Sequence, residues 1–160
     1  MYERKHRLPR ESYIGRRSVA FTACVEARRK VFNDEDLMLA FVPLLGRCAG
    51  HFGCAVPVYT FMPDHIHVLM IGERSDSDLK KAIDRFKYAT GWWFYRNRPE
   101  LHWQKDYWDH IAREFEGWRM QARYIAANPV RAGLCEDVFG WPHTGSIGND
   151  LSEVLSDAFW

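Results

Sequence analysis

The stretch Phe61-Met62-Pro63-Asp64-His65-Ile66-His67-Val68-Leu69-Met70-Ile71 carries a turn signal, Pro63-Asp64, followed by apolar and β-branched residues interrupted only by two histidines. That is the pattern of a buried strand. Side chains alternate along a strand with a period of two, so His65 and His67 share one face and Ile66 points to the other. Two imidazoles side by side make half of a divalent-metal site. The alternative is a pair of hydrogen-bonded core histidines. A His-apolar-His pair inside an apolar strand favours the metal, and by itself it names no reaction.

On the N-terminal side, Gly53 to Thr60 reads as another strand, joined to the histidine strand as an antiparallel hairpin. Pro57 implies that this strand is interrupted or lies at an edge. Before it, Leu37, Ala40, Phe41, Leu44, Leu45 and Cys48 recur at three- and four-residue spacing, predicting an amphipathic helix from Asp36 to about Cys48, capped by Asn33 or Asp34. Pro43 inside that pattern predicts a kink or two shorter pieces. Ser18 to Val25 reads as the first strand. On the C-terminal side a polar loop, Gly72 to Ser77, leads to a second long helix from Asp78 to about Asn97, started by Asp76 or Ser77. Leu101 to Ile111 reads as a short aromatic-rich strand running into a turn. Glu114 to Asn128 is a third helix, stopped by Pro129 and Gly133. The remainder is loop-rich, with a short helix from Leu151. The order strand, helix, strand, strand, helix, strand, helix predicts an α+β fold: a ferredoxin-like antiparallel sheet with the histidine strand central, helices mainly on one face, and an added C-terminal helix. This fold hosts many activities, so function has to come from the site.

At 160 residues, with 47% hydrophobic and 27% charged side chains, the chain reads as a single domain able to bury a core unaided. Seven tryptophans and a 15% aromatic share leave two uses open, core filling and stacking platforms for unpaired bases. The net charge of +1 hides an asymmetry. A basic arm over residues 1–17 carries Arg4, Lys5, Arg7, Arg10, Arg16 and Arg17, whereas an acidic, loop-rich tail over 135–160 has no Lys or Arg. The second helix adds cations, among them Lys80, Lys81, Arg85, Lys87 and Arg96, with Tyr88, Trp92 and Tyr95 interleaved. Such surfaces suit a polyanion; a solvated arm and a solvated helix face are the plain alternatives. Four cysteines without CxxC spacing fit reduced thiols. There is no sign of a signal peptide and no run of the roughly 18 apolar residues that spans a membrane. A soluble cytoplasmic protein is expected.

Tyr124 and Asn128 are four residues apart at the end of the third helix, on one face of its last turn. A phenol and an amide oxygen together offer a nucleophile and a metal ligand; a core tyrosine and an Asn cap are the alternative. With His65-Ile66-His67, the run Tyr124-Ile125-x-x-Asn128-Pro129-Val130-x-Ala132-Gly133-Leu134 resembles the single-tyrosine HUH transposases (IS200-like), and among them the REP-associated tyrosine transposases. Trp103-Gln104-Lys105-Asp106-Tyr107-Trp108-Asp109-His110 and Trp141-Pro142-His143-Thr144-Gly145-Ser146 resemble further family blocks in matching order, so the resemblance spans about Ser18 to Ser146. It implies that His65, His67 and Asn128 hold Mg²⁺ or Mn²⁺. Many relatives carry Gln where this chain has Asn128. It implies that Tyr124 attacks a DNA phosphate to form a 5′-phosphotyrosine, and that the substrate is single-stranded DNA with a hairpin, cut and rejoined without ATP. Arg4, Lys5, Arg7, Arg10, Arg16, Arg17, Lys80 and Lys87 are the expected DNA-gripping residues. The family includes monomers and homodimers, and both remain open here, as does action on dispersed host repeats in a bacterial nucleoid.

Two rival readings use the same residues. In a zinc-dependent hydrolase or phosphodiesterase, His102 or His110 would join the pair around an activated water. In a non-catalytic nucleic-acid-binding domain the histidines would be structural. Tyr107 is the rival nucleophile.

Overall fold

Alternating burial along Ser18–Cys24 and His65–Gly72 places these two strands side by side at the middle of a five-stranded sheet. The computed structural model describes residues 8–111 and 117–156. In chain order the elements are β1 (Ser18–Cys24), α1 (Glu35–His51), β2 (Cys54–Met62), β3 (His65–Gly72), α2 (Leu79–Asn97), β4 (Trp108–Ile111), α3 (Gly117–Ala126), α4 (Asn128–Arg131), β5 (Thr144–Ile147) and α5 (Leu151–Val154), with short 3₁₀ turns between some of them. The sheet runs β4-β1-β3-β2-β5 and every pairing is antiparallel. Its first four strands keep the expected ferredoxin-like order, and the histidine strand β3 is central. β5 falls where the sequence pattern reads as loop.

The two long helices cover one face. Phe41 of α1 meets Phe61, Phe86, Trp93 and Phe94 edge-on, with ring centroids 5.3–6.5 Å apart, and Val19, Phe21, Ile66, Val68 and Met70 close this core from the sheet. Most of the aromatic surplus is therefore core. On the opposite face a smaller cluster joins Val58 and Leu69 to Ala122, Ile125 and Ala126 of α3 and Val154 of α5. The sheet is thus sandwiched, and the tyrosine-bearing helix lies on the face that His65 and His67 share.

Local differences from the sequence reading have physical causes. Helix α1 runs unbroken through Pro43. Pro43 is exposed, so its missing N–H leaves a carbonyl on the solvent side. Pro57 interrupts β2 as expected but does not lie at an edge: the register shifts beside it against both β3 and β5, a bulge. The α2 cap is Asp78, whose side chain accepts from the Lys81 N–H. In the 101–111 segment the loop comes first and the strand last. Pro129 splits the third helix, so that Asn128 opens α4 after Ala126 has closed α3. The expected helix start at 114–116 lies outside the described residues.

The two aromatic blocks serve the fold. Trp103 Nε1 donates to Thr90 Oγ1 (2.8 Å) and Tyr107 Oη to Asp84 Oδ1 (2.8 Å), which ties the approach to β4 onto α2. Trp141 Nε1 donates to the Phe61 carbonyl (3.0 Å), and Gly145 lies so close to Tyr59 that a Cβ there would stand 2.5 Å from its hydroxyl. The four cysteines are free thiols, and no helix among the described residues is long and apolar enough to cross a membrane.

Candidate active site

Register sets the site. Thr22 of β1 and Thr60 of β2 both stand opposite His67, and Trp108 of β4 stands opposite Thr22, giving the row Trp108–Thr22–His67–Thr60 across the sheet. Cys24 and Met62 flank His65 in the same way.

The imidazoles are held by their Nδ1 atoms. His65 Nδ1 is 2.6 Å from Asp64 Oδ1, and His67 Nδ1 is 2.8 Å from Thr22 Oγ1. The Nε2 atoms converge at 3.1 Å. A carboxylate only accepts, so His65 Nδ1 donates and its Nε2 carries the lone pair when the ring is neutral. Burial pushes the His67 pKa down to about 3, and the positive charges of His65, Arg131 and Arg28 add to the effect. Two facing lone pairs repel unless a proton or a cation stands between them. Two nitrogens each about 2.1 Å from one ion stand about 3.0 Å apart when they subtend roughly 90°. The pair therefore fits a divalent cation. Asp64 is itself clamped: Arg28 Nε donates to Oδ2 at 2.9 Å. Burial would raise the Asp64 pKa, but the bonds and charges of His65 and Arg28 hold it below its ordinary value. Ala27 and Arg28 both sit at positive φ (58° and 53°), a costly conformation for side-chain-bearing residues, and the turn they make carries the Arg28 guanidinium to Asp64.

Tyr124 is 64% exposed. It lines, with His67, Thr22, Trp108, His110 and Gln121, one groove of about 580 Å³ between the sheet and α3. The Arg131 guanidinium lies 3.9 Å over its ring and donates to the Tyr124 carbonyl and to Asn128 Oδ1, both at 2.8 Å. Asn128 Nδ2 donates to the Ile125 carbonyl at 3.2 Å. That carbonyl is the one Pro129, lacking an N–H, leaves open in the α-helical pattern. Asn128 thus patches the helix junction, and its Oδ1, the atom a cation would need, is engaged by Arg131.

Of the rival site residues, only His110 lines the groove with His67. Tyr107 is buried, with its hydroxyl bonded to Asp84. His102 is exposed in the loop before β4, and among the described residues no three His, Cys, Asp or Glu side chains cluster as a metal site. The zinc-hydrolase trio is therefore not assembled. Gln121, overlooked in the sequence, has a buried Oε1 without a hydrogen-bond partner; it precedes Tyr124 by three residues and Asn128 by seven, a spacing that signals one shared helix face.

The cations expected to grip DNA divide. Arg4, Lys5 and Arg7 lie outside the described residues. Arg10 is paired with Asp78. Lys80 is paired with Asp84 (2.6 Å), and Lys87 Nζ donates to the carbonyl of Gln104 at 2.8 Å. Arg16 and Arg17 are exposed, but they precede the end of β1 that pairs with Ile71, opposite to the end that pairs with His65.

Comparison with known proteins identifies the family. A family model described as "Transposase IS200 like" matches residues 16–125, a span that contains His65, His67 and Tyr124 and stops short of Asn128. A putative REP-associated tyrosine transposase of Haemophilus influenzae is 27% identical over 151 residues, covering 88% of this chain and 85% of that protein. A REP-associated tyrosine transposase of Escherichia coli K12 is 26% identical over 109 residues, covering 66% of this chain and 61% of that one. Among solved structures, a REP-associated tyrosine transposase bound to a REP hairpin superposes with a TM-score of 0.65 at 21% identity, over 89% of this chain and 82% of that one. A putative transposase from Deinococcus radiodurans R1 gives 0.52 at 19% identity, over 77% and 95%. At such identities the structural likeness bears on the fold.

Proposed function

The chain belongs to the IS200-like transposase family and is a tyrosine transposase, and on that basis we propose that it cuts and rejoins single-stranded DNA bearing a REP-type hairpin, with Tyr124 as nucleophile and a divalent cation held at His65 and His67. The observation that carries this reading is the groove that His67 and Tyr124 line together. The hairpin comes from the relative solved with one.

His65 and His67, with the Asn128 amide oxygen, would hold a Mg²⁺ or Mn²⁺ ion, which would supply Lewis-acid polarisation of the scissile phosphate and charge balance. The remaining chemistry belongs to the chain. Asp64 and Thr22 fix the rings through Nδ1. The Tyr124 hydroxyl gives up its proton as its oxygen attacks phosphorus in line. The bond to the 3′ oxygen breaks, and that oxygen takes up one proton and leaves as a 3′-hydroxyl, so no net proton is gained or lost. The 5′ phosphate stays on the tyrosine. Ester is exchanged for ester, so rejoining to another 3′-hydroxyl needs no ATP. Arg131, stacked on the Tyr124 ring, holds the ring and keeps a positive charge beside the incoming phosphate. Arg131 donates to Asn128 Oδ1, which occupies one of that oxygen's two lone pairs and leaves the other for a cation.

Cleavage of labelled single-stranded hairpin DNA tests the cation. Cutting is expected only with Mg²⁺ or Mn²⁺, and is expected to vanish with EDTA and in His67→Ala, whose circular dichroism should remain that of the wild type. Full cutting in exhaustively chelated buffer would remove the cation from the mechanism.

A further inference from the structure

On the far side of the molecule from the groove, α2 turns a second surface to solvent. Lys81, Arg85, Tyr88, Trp92, Tyr95 and Arg96 are all exposed and follow one another at three- and four-residue spacing with Tyr95 and Arg96 adjacent, a single stripe along the helix. The three aromatics are 62%, 50% and 68% exposed. Core packing accounts for none of them.

At the centre of the stripe stands Gly91. A glycine inside a helix costs about 1 kcal/mol relative to alanine, and packing does not require it here, because a Cβ built at Gly91 meets nothing within 4 Å. What it does is leave a notch of about 350 Å³ lined by Lys87, Tyr88, Trp92 and Tyr95. Trp92 and Tyr95 stand edge to face, centroids 5.5 Å apart, which props the indole at the wall of the notch. The flanking charge is of one sign. Lys81, Arg85 and Arg96 make no ion pair among the described residues, the stripe carries no carboxylate, and the nearby Asp84 is taken by Lys80 and Tyr107.

We propose that this stripe binds an unpaired nucleic-acid strand, one base entering the notch over Gly91 to stack on Trp92 and Tyr88 while Arg85 and Arg96 take the phosphates on either side. Aromatic rings between unpaired cations match the alternation of base and phosphate in a single strand. A protein partner would need complementary acids for the cations, and a base pair inside a stem has no free face for the notch. The proposal rests on the transposase reading only for the polymer being DNA. It gives the strand a second foothold, across the sheet from the cutting groove.

The experiment measures fluorescence anisotropy of a labelled oligothymidylate with the full chain, against Trp92→Ala, Trp92→Phe and Gly91→Leu. Gly91→Leu starts from a Cβ in open space and favours the helix, so it narrows the notch while sparing the fold, which circular dichroism checks. Trp92→Ala and Gly91→Leu are expected to weaken binding by about 5- to 100-fold, the range set by removing one base–aromatic stack. Trp92→Phe is expected to retain most of the affinity, and attachment of Tyr124 to a short strand that reaches only the groove should be unchanged. Unaltered affinity in both variants would overturn the proposal. So would an equal loss for blunt duplex DNA, which would reduce the stripe to phosphate binding, or a change in oligomeric state, which would make it a surface for a second copy. If the wild type forms no covalent adduct yet the variants still lose oligothymidylate, the stripe stands and the transposase reading falls.

Discussion

Thr22 and His67 meet because β1 and β3 pair in one particular register, and the 2.8 Å approach of Thr22 Oγ1 to His67 Nδ1 decides which nitrogen is left to face the site. Thr22→Val keeps the β-branched shape and removes that bond. Mn²⁺ affinity, followed by isothermal titration calorimetry, is expected to fall by about 10- to 100-fold, as outer partners of metal-bound histidines generally contribute. The ion-free protein should lose about 1–3 kcal/mol, because His67 Nδ1 is left without its partner. Undiminished affinity would mean that Thr22 does not orient the ring. The histidine pair itself was legible, because a period of two in an apolar strand is a local property. Thr22 was not, since its place beside His67 depends on strands some forty residues apart in the chain. Asn128 was half legible. Its spacing from Tyr124 was plain, but its engagement by Arg131 and by the carbonyl that Pro129 leaves open needs three-dimensional neighbours.

Helix α2 is started by Asp78, which receives the Lys81 N–H at 3.0 Å and the Arg10 guanidinium. Asp78→Ala removes both and is expected to cost about 1–3 kcal/mol, the Arg10 share being reduced because that side chain is half exposed. Urea unfolding measures it, as a lower midpoint at unchanged slope. Burial would raise the Asp78 pKa, but the bonds and charges of Arg10 and Lys81 hold it below the ordinary 3.8. A carboxylate lowered on folding adds stability above its unfolded pKa and loses it as pH falls through the folded value. The gap between wild type and Asp78→Ala should therefore close below about pH 3.8. The long elements that sequence patterns located are those with a periodic apolar face: β1, α1, the hairpin, α2 and α3, and the short helix from Leu151 was located as well. β5 escaped because all four of its residues are only half-buried, so no alternation marks it. It is a strand because β2 offers it an edge, with Thr60 and Thr144 hydroxyls 2.6 Å apart.

Across the molecule, the charge asymmetry read from the sequence has to be redistributed. Arg10, Lys80 and Lys87 serve the fold, which leaves Arg4, Lys5 and Arg7 as the N-terminal cations to test. Deleting residues 1–7 spares the Arg10–Asp78 pair, and it is expected to weaken hairpin binding and to flatten the dependence of log affinity on log salt by about 0.7–0.9 for each phosphate no longer neutralised. An unchanged slope would make that arm a solvated end. Everything proposed for the groove turns on protein and DNA becoming one molecule through Tyr124. Denaturing electrophoresis of 5′- and 3′-labelled single-stranded hairpin DNA after incubation with Mn²⁺, followed by peptide mapping of the slow band, measures that directly. The wild type should carry the fragment whose 5′ phosphate was cut, on Tyr124. Tyr124→Phe should bind DNA yet neither cut nor attach. Tyr107→Phe, which removes the hydrogen bond to Asp84, should still form the adduct. An adduct mapping to another residue, normal cutting by Tyr124→Phe, or no adduct with any single-stranded hairpin would contradict the assignment of Tyr124.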